Sequence, residues 1–125
     1  GEKMAPAEFK GAKIGTLFCS EIVSPFLYGD LTRGGAEILV NIASHSVFHG
    51  SRLLYSQTLK MAKVRAVENN RYFAEATNFN PSFVIDNAGR LVKESRGDSD
   101  SVIYANIPLI SRPSVYNSIL DFLGK

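Results

Sequence analysis

The sequence predicts an α/β fold that contains a parallel sheet, and three observations lead to that prediction. Short apolar runs typical of buried strands alternate with segments of helical periodicity in the first half of the chain. The second half holds several short segments rich in β-branched and aromatic residues, separated by Asn, Pro and Gly. The resulting order, strand–helix–strand–helix followed by strands, is typical of a layer in which helices cover a sheet.

Two apolar runs in the first half predict buried strands. Residues 1–12 mix Lys, Glu, Pro and Ala and are expected to form an opening loop. Residues 13–18 are then nearly continuously apolar, and residues 37–42 repeat that composition. Runs of this length fit strands of a parallel sheet, whose two faces are both covered. Residues 43–51 are small and polar, with two histidines, and predict a loop.

Two helices are predicted around the second of these strands. Pro25 is a suitable first residue for one helix, which Gly34 would end. The other spans residues 53–70, where apolar side chains at steps of four, three and four share one face: Tyr55, Leu59, Ala62 and Ala66. Two helices are few for covering both faces of a parallel sheet. We therefore expect the chain to belong to a larger domain or to be completed by a second chain.

The second half predicts mainly short strands. Asn87 and Gly89 indicate a hairpin turn between two of them. Residues after Pro108 predict a loop and a short final helix. The four predicted strands are residues 72–77, 82–86, 90–94 and 102–107.

Composition excludes several classes of protein. The chain has 125 residues with Lys+Arg 14 and Asp+Glu 12, a net charge of +2. This balance argues against a nucleic-acid-binding or membrane-surface polycation. A single Cys excludes an internal disulfide framework and any zinc site that needs several thiolates. No apolar run approaches the roughly 20 residues of a membrane span.

Cys19 is the leading candidate for a chemical role. It follows the first predicted strand, and ligands of open α/β sheets bind at the carboxyl ends of strands. A thiol there can act as a nucleophile if a base removes its proton and amides receive the oxyanion. From the residues alone, a buried inert thiol remains the alternative. Glu21 is equally open between a catalytic carboxylate and a solvated or helix-start one.

Two further pairs leave alternatives open. His45 and His49 have a spacing that could hold a metal if the segment were helical, but neighbouring Ser and Gly residues favour a loop and no third ligand is near in sequence. Arg65 and Glu68 lie three apart on the long predicted helix. They form either an exposed ion pair worth tenths of a kcal/mol or a buried pair that positions something.

Four segments, in order, resemble the carbon–nitrogen hydrolase (nitrilase) superfamily. Residues 13–25, KIGTLFCSEIVSP, are similar to I-G-x-x-I-C-x-E-x-x-x-P. Residues 36–50, AEILVNIASHSVFHG, resemble A-x-x-L-V-N-x-x-N-D-A-W-F-G. Residues 61–78, MAKVRAVENNRYFAEATN, match M-A-R-x-R-A-x-E-x-x-R-x-x-x-R-A-T-N. Residues 83–92, FVIDNAGRLV, match x-V-I-D-P-x-G-R-x-V.

The resemblance implies an α-β-β-α sandwich with a Glu, Lys, Cys triad. Cys19 then matches the nucleophile, Glu21 an acidic residue that supports the site, and the backbone N–H of Ser20 a donor to the oxyanion. The triad Glu and Lys lie well upstream of the Cys in this family, and nothing in residues 1–18 matches them. Residues 1–125 are therefore expected to be the C-terminal portion of the domain, with the N-terminal portion as its partner.

The A-T-N ending and the tail look most like the apolipoprotein N-acyltransferase branch. That branch implies an acyl group moved from phospholipid, through a Cys thioester, to the N-terminal amine of a lipoprotein. It also implies a bacterial inner-membrane enzyme whose catalytic domain faces the periplasm. A soluble, cytoplasmic amidase and a degenerate binding module are the alternatives. No cofactor, metal or nucleic-acid partner is expected.

This sequence departs from the family pattern in its loops. Ser44 and His45 replace the usual Asn and Asp, and Val47 replaces Trp. Asn80 stands where the pattern has Gly. Substrate contacts made by these loops therefore cannot be carried over from the family.

Overall fold

A computed structural model describes residues 4–96 and 100–124, and it contains one six-stranded mixed sheet. The strand order follows the chain, from β1 at one edge to β6 at the other. The strands are β1 Ala7–Phe9, β2 Ala12–Phe18, β3 Ile38–Ser44, β4 Phe73–Asn78, β5 Phe83–Ile85 and β6 Leu91–Glu94. The helices are α1 Pro25–Arg33, α2 Arg52–Asn69 and α3 Val115–Phe122. The predicted α/β class is confirmed.

Strands β2, β3 and β4 form the parallel centre of the sheet. Helix α1 connects β2 to β3, and α2 connects β3 to β4. The other three pairings are antiparallel. This register places Leu17, Asn41 and Glu75 side by side in one row across the three parallel strands.

The helices cover one face of the sheet. Pro25 begins α1, as predicted, and the Ser51 hydroxyl caps α2 by accepting from the Leu54 N–H at 3.3 Å. The ring of Tyr28 lies edge-on to Phe73, with centroids 5.3 Å apart. The shared core comprises Leu17, Ile22, Tyr28, Leu31, Ala36, Leu39, Ala62, Ala66, Phe73, Phe83 and Ile85. Ala62 and Ala66 confirm the helical face that the periodicity predicted.

The opposite face of the parallel strands is open among the described residues. Side chains alternate along a strand, so the neighbours of buried Leu17 and Asn41 point away from the helices. Phe18 is 57% exposed and Ile42 is 46% exposed, although the two are paired in register. Ala76 continues the same row and is also exposed. Large apolar side chains in one exposed row are typical of a surface that packs against something else.

The C-terminal segment is tied to the sheet by buried polar contacts. The Arg71 guanidinium donates to the carbonyls of Ala36 and Arg112, each at 2.7 Å. The Asn117 amide donates to Asn69 Oδ1 at 2.9 Å. These bonds join α3 to the end of α2 and to the start of β4.

Two strand predictions are wrong. Residues 102–107 form no strand, because Val102 and Tyr104 are more than 70% exposed and no neighbouring strand pairs with them. Their β-branched composition alone does not make a ladder. Residues 7–9 form β1 instead of continuing an opening loop. Lys10 and Gly11 both have positive φ, 49° and 82°, the conformation that closes a tight hairpin between β1 and β2.

Candidate active site

Cys19 lies in a strained turn at the carboxyl end of β2. It is the first residue of a 3₁₀ helix, Cys19–Val23, and its φ is +50°. A left-handed conformation at a residue other than Gly costs on the order of 1–3 kcal/mol, and such residues cluster at functional sites. The thiol is exposed, so the inert buried thiol is not what the structure contains.

Glu21 is committed to the turn itself. Its Oε2 accepts from the Phe18 N–H at 2.8 Å, which closes the turn on the side of the strand. Ser20 follows Cys19 and lines the same cavity as the thiol. The structure therefore brings all three predicted site residues into one turn, with Glu21 holding its backbone.

Arg65 holds the other side of the turn. Its Nε and Nη2 donate to the carbonyls of Ile22 and Val23, each at 2.9 Å. Its Nη1 pairs with Glu68 at 2.5 Å, and the Arg65 side chain is only 5% exposed. The pair that the spacing could not interpret is thus the buried form, and it positions the segment that follows the Cys.

Sequence reasoning missed a polar pair beneath the turn. The Asn41 amide nitrogen lies 3.1 Å from Glu75 Oε1 and 3.4 Å from the Cys19 carbonyl oxygen. Burial raises the pKa of Glu75 to about 8, although the hydrogen bond from Asn41 acts in the opposite direction. Two signals were available: a single Asn within the apolar run ILVNIAS, and Glu75 in a place where the quoted family pattern has Arg.

A cavity of about 840 Å³ opens over these groups. This lies in the upper part of the roughly 300–1,000 Å³ range of sites for small molecules. Its apolar wall is formed by Ile22, Val23, Ala43, Leu54, Met61 and Val64. Its polar lining comprises Cys19, Ser20, Asn41, Ser44, His45, Gln57, Thr58, Lys60 and Glu75. A thiol at the end of such a wall can take an acyl group from a substrate and keep its chain out of water.

Two departures from the family pattern contact each other. His45 and Asn80 are both buried, and His45 Nδ1 lies 3.0 Å from the Asn80 amide nitrogen. Because the amide can only donate, Nδ1 accepts and the ring proton lies on Nε2. Burial lowers the pKa of His45, so its ring is neutral at pH 7. The altered loop is therefore an internally bonded arrangement.

The histidine pair does not share a helix. His49 is exposed and has a φ of +47°, just after a 3₁₀ helix, Ser46–Phe48. Within residues 4–96 and 100–124, no three His, Cys, Asp or Glu side chains are grouped as a metal site.

Comparison with known proteins identifies the family. The sequence model of the carbon-nitrogen hydrolase family matches residues 1–114. The chain belongs to the carbon-nitrogen hydrolase family. The resemblance seen in the four motifs is thereby confirmed, and this is a superfamily of enzymes.

The curated relatives of this carbon-nitrogen hydrolase carry one name. An apolipoprotein N-acyltransferase of Aquifex aeolicus is 31% identical over 93 residues, covering 74% of this chain and 20% of the relative. The protein of that name from Geobacter metallireducens is 30% identical over 121 residues, covering 97% of this chain and 23% of the relative. The chain thus spans about a fifth of the length of the relatives it matches.

Solved structures share the fold of this carbon-nitrogen hydrolase. Nit3 of Saccharomyces cerevisiae, a member of the nitrilase superfamily, superposes with a TM-score of 0.69 at 24% identity, over 98% of this chain and 46% of that one. An amidase from Nesterenkonia sp. gives a TM-score of 0.53 at 21% identity, over 76% of this chain and 39% of that one. In that amidase, acrylamide is found added to the active-site cysteine.

One physical property bears on location. Within the part of the carbon-nitrogen hydrolase chain that the structure describes, no helix combines the length and the apolarity needed to cross a membrane.

Proposed function

We propose that the chain is the C-terminal portion of an acyl-transferring carbon-nitrogen hydrolase domain, with Cys19 as the nucleophile. The acyl donor is a phospholipid and the acceptor is the N-terminal amine of a lipoprotein. One observation carries the proposal: an exposed thiol on a strained turn lines a large cavity with an apolar wall. The names of the curated relatives support the same reading.

The reaction proceeds in two steps. In the first, the Cys19 thiolate attacks the ester carbonyl of the donor. A C–S bond forms, the C–O bond breaks, and the lysophospholipid alcohol leaves with a proton. In the second, the acceptor amine attacks the thioester. An amide bond forms, the C–S bond breaks, and the amine proton is returned to the thiol by way of the catalytic base.

The residues of this chain have distinct roles in those steps. The Ser20 N–H donates to the oxyanion that forms at each attack. Glu21 holds the turn through the Phe18 N–H, so it acts by positioning Cys19. The apolar wall receives the acyl chain and excludes water, which favours an amine over water as the acceptor.

The base and the cation come from a preceding portion of the domain. The resemblance places a Glu and a Lys there, and the open row of Phe18, Ile42 and Ala76 offers that portion a surface on which to pack. The chain's coverage of about a fifth of its relatives agrees with this arrangement. We place the whole enzyme in a bacterial inner membrane, with this domain facing the periplasm.

A soluble amidase of the same family is the second candidate. The polar rim of the cavity, with His45, Gln57 and Thr58, would suit a small amide, and an amidase shares the fold. A degenerate binding module fits less well, because the altered residues His45 and Asn80 are bonded to each other and the thiol stays exposed.

A trapping experiment tests the proposal. The natural full-length protein is incubated with a phospholipid that carries a labelled acyl chain, and the peptide containing Cys19 is analysed by mass spectrometry. We expect an acyl adduct on Cys19 that hydroxylamine removes, and none in Cys19→Ala. Adding a lipopeptide with a free N-terminal amine should transfer the label to that amine.

The outcomes separate the candidates. Release of the label as free acid, even with amine present, or turnover of small amides but not phospholipid, would favour the hydrolase. Full acyl transfer by Cys19→Ala would overturn the proposal. Ser118→Ala, a change of similar size on the exposed part of α3, is the matched control and should keep the adduct.

A further inference from the structure

A buried polar pair lies beneath the Cys19 turn, within an otherwise apolar row of the sheet. Asn41 on β3 and Glu75 on β4 are partners in the register, and their side chains are 0% and 2% exposed. The row continues with Leu17 on one side and Phe83 on the other. Burying an amide and a carboxyl costs free energy that packed apolar side chains would not cost.

Asn41 connects this pair to the nucleophile. Its amide nitrogen has two hydrogens, which point to two acceptors: Glu75 Oε1 at 3.1 Å and the Cys19 carbonyl at 3.4 Å. The other supports of the turn act on neighbouring residues, since Glu21 binds the Phe18 N–H and Arg65 binds the carbonyls that follow. Asn41 contacts the strained residue itself.

We propose that Asn41 and Glu75 are positioning residues for Cys19. Glu75 fixes the side-chain rotamer of Asn41, and Asn41 holds the Cys19 peptide group in the left-handed conformation that presents the thiol to the cavity. Neither residue touches the reacting atoms. The inference rests on the proposed function, and it adds a support that the quoted motif does not contain, since the motif has Arg in place of Glu75.

Glu75 acts as a neutral acid in this arrangement. Its Oε2, like Asn41 Oδ1, has no hydrogen-bond partner among the described residues. An ionised carboxylate there would keep a buried charge with one hydrogen bond, whereas the protonated group avoids that cost. The direction of its pKa agrees, since burial raises it to about 8. What Asn41 needs is an acceptor at Oε1, and a Gln side chain can provide one.

The test compares variants of the natural full-length protein. Glu75→Gln keeps the acceptor, Glu75→Leu removes it, and Glu8→Gln on the exposed edge strand β1 is the matched control. Three quantities are measured well below each melting temperature: the alkylation rate of Cys19 with iodoacetamide, and kcat and KM for acyl transfer. Melting temperatures are recorded in parallel.

We expect Glu75→Leu to lower both kcat and the alkylation rate by about tenfold or more with KM nearly unchanged, the pattern of a lost positioning contact. Glu75→Gln and Glu8→Gln should stay near the wild-type values. Asn41→Leu should match Glu75→Leu, and the double variant should be no slower than either single one.

Wild-type kcat and alkylation in a folded Glu75→Leu protein would overturn the inference and leave the proposed function intact. Unchanged acyl transfer by Cys19→Ala would instead refute the proposed function. If Glu75→Leu does not fold, Asn41→Ser breaks the contact with Cys19 without adding an apolar group. The same loss is then expected, and its absence overturns the inference.

Discussion

Replacing Glu75 by Gln should change how the stability of strands β3 and β4 depends on pH. Burial raises the pKa of Glu75 from 4.5 to about 8. Between those values the folded protein keeps a proton that the unfolded chain has released. The free energy of unfolding therefore falls as the pH rises through this window and levels off above it. Gln has no proton to lose, so the variant lacks this dependence.

The magnitude follows from the two pKa values. A difference of one in pKa corresponds to about 1.4 kcal/mol, so the span from 4.5 to about 8 corresponds to at most roughly 5 kcal/mol. Local relaxation and water entry around the charged carboxylate reduce this figure. We expect the ratio of the variant's hydrogen-exchange protection to that of the wild type to rise by about one to three powers of ten between pH 5 and pH 9.

Hydrogen exchange followed by mass spectrometry measures this ratio in the natural full-length protein. Peptides covering Ile38–Ser44 and Phe73–Asn78 report on the two strands, after correction for the intrinsic pH dependence of exchange. Glu8→Gln is the control and should follow the wild type, since Glu8 is exposed. A ratio that stays flat from pH 5 to pH 9 would mean that Glu75 ionises like an exposed carboxyl. That result would refute the argument that it is a neutral acid.

Two further predictions concern the turn and the sheet. Arg65→Met leaves the carbonyls of Ile22 and Val23 and the carboxylate of Glu68 without their partner, so we expect a loss of roughly 3 kcal/mol in the free energy of unfolding, seen as a lower melting temperature; an unchanged melting temperature would show that these contacts are not formed in solution. Gly15→Ala would place a Cβ 3.0 Å from the Ala36 Cβ, so we expect a loss of about 1–3 kcal/mol in chemical denaturation, and a neutral substitution would contradict the close packing of β2.

Periodicity and turn residues were sufficient to predict the central elements. The apolar run that ends at Phe18, the proline that begins α1 and the helical face of α2 are local signals, and each lies where it was expected. The prediction failed where a strand depends on a partner. Val102 and Tyr104 have strand-forming side chains but no ladder, whereas Ala7–Phe9 forms a strand because the hairpin at Lys10 and Gly11 brings it back onto β2.

The site shows the same division between local and distant information. Cys19, Ser20 and Glu21 are consecutive or nearly so, and the motif placed them together. Asn41 and Glu75 are 34 residues apart and meet only through the register of β3 with β4. Arg65 reaches the turn from 42 residues away. No single-sequence pattern contains those pairings, so the supports of the turn could be found only in the folded chain.

The two faces of the parallel strands place opposite demands on one alignment. The pairing that sets Asn41 beside Leu17 also sets Ile42 beside Phe18 and turns both of those toward the open side. A slip of β3 by one residue would exchange the two sets. The thiol's underpinning would then face outward, and the docking row would be trapped under the helices. Assembly of the domain and readiness of its nucleophile are therefore gained or lost in a single event.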